Sequence, residues 1–318
     1  MKSEMGEGLL LLGDIGGTNA RFAIARGGAV TGVERLKTAD FATLEAALTH
    51  YLAGRAERPE RAAIAVASPL AGDYVKLTNA PWNFSIGALR ERLGLKDLRV
   101  YNDFAAVALS LPWLTEDERR HVGGPRMAPL APIALVGPGT GLGVSGLVPD
   151  KAGEWLVLAS EGGHVGFSPV DAREDAVLAA LRRDLGRLSI ERLVSGQGIE
   201  NLYRMTSGGK ARKAAEVTAL AEAGDGAACE ALSLFCGIFG GFAGDLVLTL
   251  GAWRGLYIGG GIPAKLGVLF DRALFNARFE DKGRYGERLA AVPRWLITHD
   301  NPALLGLAHA AEPLRGAP

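Results

Sequence analysis

Two short segments combine clustered glycines with a hydroxyl: Gly13-Asp14-Ile15-Gly16-Gly17-Thr18-Asn19 and Gly137-Pro138-Gly139-Thr140-Gly141-Leu142-Gly143. Such turns gather backbone N–H groups with no Cβ in the way, which is the chemistry of phosphate binding. One such turn is weak evidence, because most glycine turns only reverse the chain. Two matched turns, carrying Thr18 and Thr140, make a stronger case. Asp14 lies inside the first. A carboxylate beside phosphates repels them unless a cation sits between, so Asp14 points to Mg²⁺ as a metal residue, held through water because that ion sheds its waters reluctantly. The plainer alternative is a turn aspartate bonded to its own backbone.

Three further polar groups stand out. Asn102-Asp103 ends an apolar strand and opens a helix, where an aspartate is a favoured N-cap. Asp103 could also accept the proton of an alcohol attacking a phosphoryl group. Glu161-Gly162-Gly163-His164 sets a carboxylate and an imidazole three apart. A di-metal reading of Glu-x-x-His needs a helix and a second copy. Two glycines oppose the helix and there is no copy. A loop offering an acceptor and a switchable donor/acceptor to a polyol fits better, with an ordinary loop histidine as the alternative. Glu191 taken alone reads as a surface helix residue.

The elements that must position these groups follow from periodicity and turn residues. Leu9 to Leu12, the first glycine turn and Ala20 to Ala25 read as strand, turn, strand. Ile133 to Val136, the second turn and Val144 to Val148 repeat the unit, the one internal repeat visible. Thr43 to Leu52 and Ile86 to Leu93 read as helices, and Arg61 to Ser68 and Leu98 to Asn102 as strands. Phe104 to Leu111 continues as a helix. The stretch 116–132, charged and then rich in proline and glycine, looks like a connection between domains. Helices are expected over Asp171 to Arg183, Ile190 to Tyr203, Lys213 to Ala223 and Ala227 to Leu250. Leu256 to Ile258 is a buried strand ending in Gly259-Gly260-Gly261, and Pro302 to Glu312 a last helix. Two related halves of strands and helices imply an α/β fold.

Length and charge narrow the classes. The chain has 318 residues, enough for roughly two domains. Lys plus Arg and Asp plus Glu are both 35, and this zero balance argues against a nucleic-acid or anionic-membrane partner. Glycine is the outlier, at 44 residues, about twice the usual share. Cys229 and Cys236 have no zinc spacing and are expected to be buried small hydrophobes in a reducing, cytoplasmic setting. The apolar run before the first turn is too short for a signal peptide. The 231–250 stretch, with its Gly237/Gly241 and Gly240/Gly244 pairs, reads as a buried helix approached closely by a neighbour rather than as a membrane span, because Asp245 interrupts it.

Two rival nucleotide motifs do not fit. A Walker A loop is absent. Gly141, Gly143 and Gly146 match GxGxxG, but a strand follows where a dinucleotide-binding dehydrogenase needs a helix. A non-catalytic sugar-sensing regulator is the other alternative. Such proteins usually carry a DNA-binding helical module, for which the few residues before the first strand leave little room.

Gly13 to Arg21 resembles the first phosphate motif of the bacterial glucokinase family, in the hexokinase–actin–heat-shock ATPase superfamily. Tyr101-Asn102-Asp103-Phe104 resembles its sugar-and-catalysis motif, Gly137 to Gly143 its second phosphate loop and Glu161 to Val165 its sugar loop. Ser195-Gly196-x-Gly198-Ile199-x-Asn201-Leu202-Tyr203 and the adenosine-side turn Gly259-Gly260-Gly261-Ile262 follow in order, so the likeness runs from residue 9 to about 310.

The resemblance implies an ATP-dependent kinase that phosphorylates glucose at its 6-hydroxyl. It would have a two-domain actin-like/hexokinase-type fold and a cleft for ligands. Asp103 would be the general base, and Asn102, Asp103, Glu161, His164 and Glu191 would hold the sugar. Gly13, Asp14, Ile15, Gly16, Gly17, Thr18, Gly139, Thr140, Gly141, Gly260 and Gly261 would hold the nucleotide with Mg²⁺. A small domain of 1–113 plus about 302–318, a large domain of 114–301 and a homodimer are expected on the same ground. Gln197 stands where the family often has proline, and Gly166 where an acidic residue is expected. The cysteine-rich zinc motif of the related repressor/open-reading-frame/kinase sugar kinases is missing, which points to the zinc-free branch.

Overall fold

The computed structural model describes residues 8–68, 70–77, 82–125 and 130–310. The start of the chain, part of the 116–132 connection and the last two residues of the expected final helix lie outside the described residues. The chain divides into two compact units. The first takes in residues up to Thr115, Pro149–Ala159 and those from His299, and the second Glu116–Val148 and Ser160–Thr298. This differs from a division at 113 and 302 chiefly by the excursion Pro149–Ala159.

The first unit is built on strands β1 (Leu10–Ile15), β2 (Asn19–Arg26), β3 (Ala29–Lys37) and β4 (Arg61–Val66), a small hairpin of β5 (Tyr74–Lys76) and β6 (Asn83–Ser85), and β7 (Asp97–Asn102). Its main sheet runs β3-β2-β1-β4-β7. The first three strands are an antiparallel meander, and β1, β4 and β7 are parallel. The central strand, LLLGDI, is apolar on both faces because both are covered. Leu11 and Ile15 pack with Phe22, Ile64 and the Leu44–Ala53 helix. Leu10 and Leu12 point the other way, with Ala63 and Ala65, onto Leu304 and Leu307 of the Pro302–His309 helix. That is the period-two alternation of a strand. The Pro302–His309 helix also lies close to the Asp103–Ser110 helix, so close that a Cβ at Gly306 would run into the Ala106 carbonyl. Its His309 ring stacks on Trp113 with centroids 3.7 Å apart.

The second unit repeats the plan with β8 (Arg119–Gly123), β9 (Ile133–Pro138), β10 (Leu142–Pro149), β12 (Gly255–Ile258) and β13 (Arg294–Ile297), whereas β11 (Trp155–Ser160) falls in the first unit except for Ser160. Neighbours run β10-β9-β12-β13-β8. As in the first unit, an antiparallel hairpin is followed by two parallel strands. The repeat seen in the two glycine turns therefore extends to the sheets that carry them.

The Gly226–Leu250 helix starts at the N-cap Asp225 and stops at Gly251, which is left-handed (φ 61°). It is long and apolar enough to cross a membrane, yet 78% of its apolar window is buried inside the protein. A Cβ at Gly240 or Gly244 would run into the carbonyl of Phe275 or Phe279 in the Arg272–Glu280 helix. Gly237 and Gly241 approach only side chains, at 3.8 and 3.7 Å. One of the two glycine pairs thus makes the close helix contact.

Several expectations are corrected. The helix over Ile190 to Tyr203 is broken: Ile190–Arg192 is a 3-10 turn, and a new helix, Gly196–Thr206, begins at the N-cap Ser195. Glu191 is therefore not on a helix surface. Cys236 is buried but Cys229 is exposed. Cys229 lies in the first turn of its helix, where its sulfur reaches the Ala221 carbonyl at 3.7 Å. Within the supposed connection 116–132, Arg119–Gly123 is an edge strand on β13.

Candidate functional site

In the first unit, strand register brings two of the chemistry-bearing segments to one edge. Ile15 pairs with Val66 and Val66 with Asn102. The first glycine turn and Asn102-Asp103 therefore leave the carboxyl ends of β1 and β7, two strand spacings or about 10 Å apart. Ligands of parallel sheets bind at this edge.

The turn is braced within its own unit. Gly16 N–H donates to the Asn19 carbonyl at 3.0 Å. The buried Thr38 grips the next residues, its hydroxyl donating to the Gly17 carbonyl at 2.8 Å and its N–H to the Thr18 carbonyl at 3.1 Å. Asp14 is paired with Arg21 at 3.1 Å. Burial pushes the Asp14 carboxyl above its ordinary value, and the Arg21 guanidinium partly offsets this.

Asn102 is the N-cap of the Asp103–Ser110 helix, and its Oδ1 accepts from Phe104 N–H at 3.0 Å and Ala105 N–H at 3.2 Å. The capping role expected of the aspartate thus falls to the asparagine. Asp103 takes the first helical position, where its Oδ1 accepts from Phe104 N–H at 2.8 Å. The helix N-terminus favours its negative charge.

In the second unit, Val136 pairs with Ile258, so the second glycine turn and Gly259-Gly260-Gly261 leave adjacent parallel strands. Gly260 is left-handed (φ 75°), and a Cβ there would run into the Pro138 carbonyl. Only glycine permits this approach. At Gly139 a Cβ would meet nothing within 4 Å, so that side of the turn is open.

The sugar-loop segment is a 3-10 turn, Gly162–His164, following Glu161. It lies directly on the hairpin of the second glycine turn, since a Cβ at the buried Gly163 would run into the Leu142 carbonyl. The His164 ring stands between two carboxylates, with Nε2 4.0 Å from Glu161 and Nδ1 4.0 Å from Glu191. Glu191 Oε2 accepts from Leu142 N–H at 2.9 Å. Loop and turn are joined by Ile190 N–H to the Val165 carbonyl at 2.9 Å and by a bridge between Gly166 and Ser189. Gly166 is open to solvent on its side-chain face, so the absence of an acid there strains nothing.

The structure thus groups Glu161, His164 and Glu191 with Gly139, Thr140, Gly141, Gly260 and Gly261 in the second unit. It groups Asn102 and Asp103 with the turn from Gly13 to Thr18 in the first. Sequence reasoning quoted Arg21 and Ser195 within motifs but gave neither a supporting role, and it missed Thr38. Only Ser195 had a readable signal, a serine just ahead of a helical period. Among the described residues no group of three or more His, Cys, Asp or Glu side chains is placed to hold a metal ion. A single carboxylate, Asp14, beside a phosphate cradle suits Mg²⁺, which keeps several waters and binds through one or two carboxylates plus substrate phosphates.

The glucokinase family model matches residues 11–314. The bifunctional protein glk of Burkholderia thailandensis is 48% identical over 314 residues, covering 96% of this chain. This chain spans only about half of that relative, 49% of its length. A glucokinase of Chromobacterium violaceum is 48% identical over 313 residues, covering 96% of this chain and 90% of its own. Among solved structures, a glucokinase from an Antarctic psychrotroph superposes with a TM-score of 0.88 at 35% identity, covering 94% of this chain and 97% of that one.

Proposed function

The chain belongs to the glucokinase family, and from that premise we propose that it transfers the terminal phosphoryl group of ATP to the 6-hydroxyl of glucose. The observation that carries this reading is the placement of Asp103. It sits at the first position of a helix, on the same sheet edge as a glycine turn suited to phosphate. Its Oδ1 is held by Phe104 N–H at 2.8 Å. The Asp103 carboxylate accepts the proton of the 6-hydroxyl as the hydroxyl oxygen attacks phosphorus.

Phosphoryl transfer asks mainly for positioning and charge stabilisation, and the remaining residues supply these. Asn102 fixes the helix start and offers its amide to a sugar hydroxyl. Glu161, Glu191 and His164 accept from or donate to the other hydroxyls, and a site built this way rejects sugars lacking one of them. The turns at Gly13–Thr18 and Gly139–Gly141 offer phosphate oxygens the hydroxyls of Thr18 and Thr140 and those N–H groups not spent inside the turns, as Gly16 and Gly139 N–H are, and Gly260 and Gly261 bound the nucleoside side. Asp14 would hold Mg²⁺, which would supply neutralisation of charge on the phosphate oxygens. The protein is read as a cytoplasmic homodimer acting at the first step of glycolysis.

The test is ADP release across a panel of hexoses with ATP, alongside hexose phosphate formation with polyphosphate as the alternative donor. Release with ATP and glucose is expected. No release with any hexose would reject the reading.

A further inference from the structure

Glu191 is expected to touch the sugar, yet apart from His164 Nδ1, 4.0 Å from its Oε1, its side-chain contacts lead to the phosphate turn. Oε2 accepts from Leu142 N–H at 2.9 Å, and a Cβ at Gly141 would come within 2.5 Å of that oxygen. Its backbone carbonyl accepts from the Ser195 hydroxyl at 2.6 Å. The same hydroxyl accepts from Gly198 N–H at 3.0 Å, capping the Gly196–Thr206 helix. One residue on, Gly196 N–H donates to the Gly139 carbonyl at 2.9 Å, and Gly139 N–H donates to the Gly141 carbonyl at 2.8 Å. The contacts close on themselves, from phosphate turn to Glu191 to Ser195 and back to the turn. Ser195 is 1% exposed, so water does not substitute for its hydrogen bonds.

A closed ring of this kind cannot be adjusted at one point alone. A sugar hydroxyl that draws on the Glu191 carboxylate fixes its position, and with it the Leu142 N–H and the Gly139–Gly141 turn. We propose that Ser195 is a positioning residue that holds Glu191 and the phosphate turn as one body, so that hexose binding and nucleotide binding favour each other through it. The inference rests on the assignment of Glu191 to the sugar and of the second turn to phosphate. Reciprocity is required by linkage: whatever factor glucose adds to nucleotide affinity, nucleotide adds to glucose affinity.

The experiment is calorimetric titration of the full chain with Mg²⁺ and AMPPNP, with and without saturating glucose, and the reverse titration. In the wild type each ligand is expected to tighten the other about fivefold or more. In Ser195→Ala this ratio falls below about twofold while each ligand's own Kd moves less than about threefold. Ser195→Thr, which keeps the capping hydroxyl, restores the ratio. A merely structural serine would lower the melting temperature and leave the ratio where it was. A wild-type ratio near one, or an unchanged ratio in Ser195→Ala, overturns the proposal.

Should Ser195→Ala fail to fold, the wild type decides. Glucose alone must slow hydrogen exchange in the segment 139–142 about fivefold or more, and no slowing overturns the inference. A chain that binds no hexose at all fails the functional reading instead. A chain that binds and phosphorylates glucose with a ratio of one fails only this inference.

Discussion

The two glycine turns have the same architecture and different supports. The first, between β1 and β2, is gripped by Thr38 and by the Asp14–Arg21 pair, none of which is a proposed sugar residue. The second, between β9 and β10, is held by Glu191, a residue assigned to the sugar. The difference teaches that a repeated motif need not carry a repeated role. A turn braced by scaffold is ready whether or not substrate is present, whereas a turn braced by a ligand-binding carboxylate reports on that ligand.

The sharpest way to test this division is to remove chemistry from the first unit alone. Asp103→Asn should lower kcat by about 10²–10⁴-fold while glucose still binds. Steady-state kinetics together with glucose titration check it, and full activity would end the assignment of Asp103 as base. Next comes the pair of glycines. A Cβ at Gly141 forces the Glu191 carboxylate to move by about 1 Å, so Gly141→Ala should raise the glucose KM about tenfold. The equivalent change in the first turn, Gly16→Ala, places a Cβ 3.1 Å from the Asn19 carbonyl and should alter nucleotide KM alone. Equal effects on the two KM values in both variants would erase the contrast.

Asp14→Asn separates function from stability. Because the folded chain holds the Asp14 proton more tightly than the unfolded chain, this carboxyl's stabilising contribution is present at low pH and is lost as pH rises through its folded value. The variant should therefore melt at or above the wild-type temperature at pH 7 while its nucleotide KM rises several-fold. A lower melting temperature at pH 7 would show that the Arg21 pair outweighs burial. The smallest effect is expected from Thr38→Val, which removes the hydroxyl bound to Gly17. It should cost about 1 kcal/mol of stability, read by denaturant unfolding, and leave the glucose KM unchanged.

The hairpins were legible because apolar strands interrupted by clustered glycines have few other readings. Asn102-Asp103 was legible as the meeting of a strand with a helix, although which of the two caps the helix was not. The edge strands were harder. Arg119–Gly123 reads RRHVG, and its charged, half-exposed side chains suit an unpaired edge and hide the strand from a hydrophobicity pattern. The Ala29–Lys37 strand is likewise mostly exposed. Glu191 was placed on a helix because Ile190 to Tyr203 keeps an apolar period. The break at Ser195 depends on its hydroxyl being claimed by Gly198 N–H and the Glu191 carbonyl, which periodicity does not reveal. The bond from Leu142 to Glu191 joins positions far apart in the chain, and no local pattern carries it.

The glycine-lined contact between the Gly226–Leu250 and Arg272–Glu280 helices bears on how the protein is made. Synthesis delivers the longer helix first, so for an interval its apolar surface has no cover from the later one. Its charge-free run, residues 231–244, is shorter than the roughly 20 residues a bilayer core requires. Asp245 at the end of that run later meets Lys282 at 2.7 Å, just beyond the covering helix. The aspartate that limits the nascent helix's affinity for lipid is thus the one that receives an ion partner when the covering segment arrives.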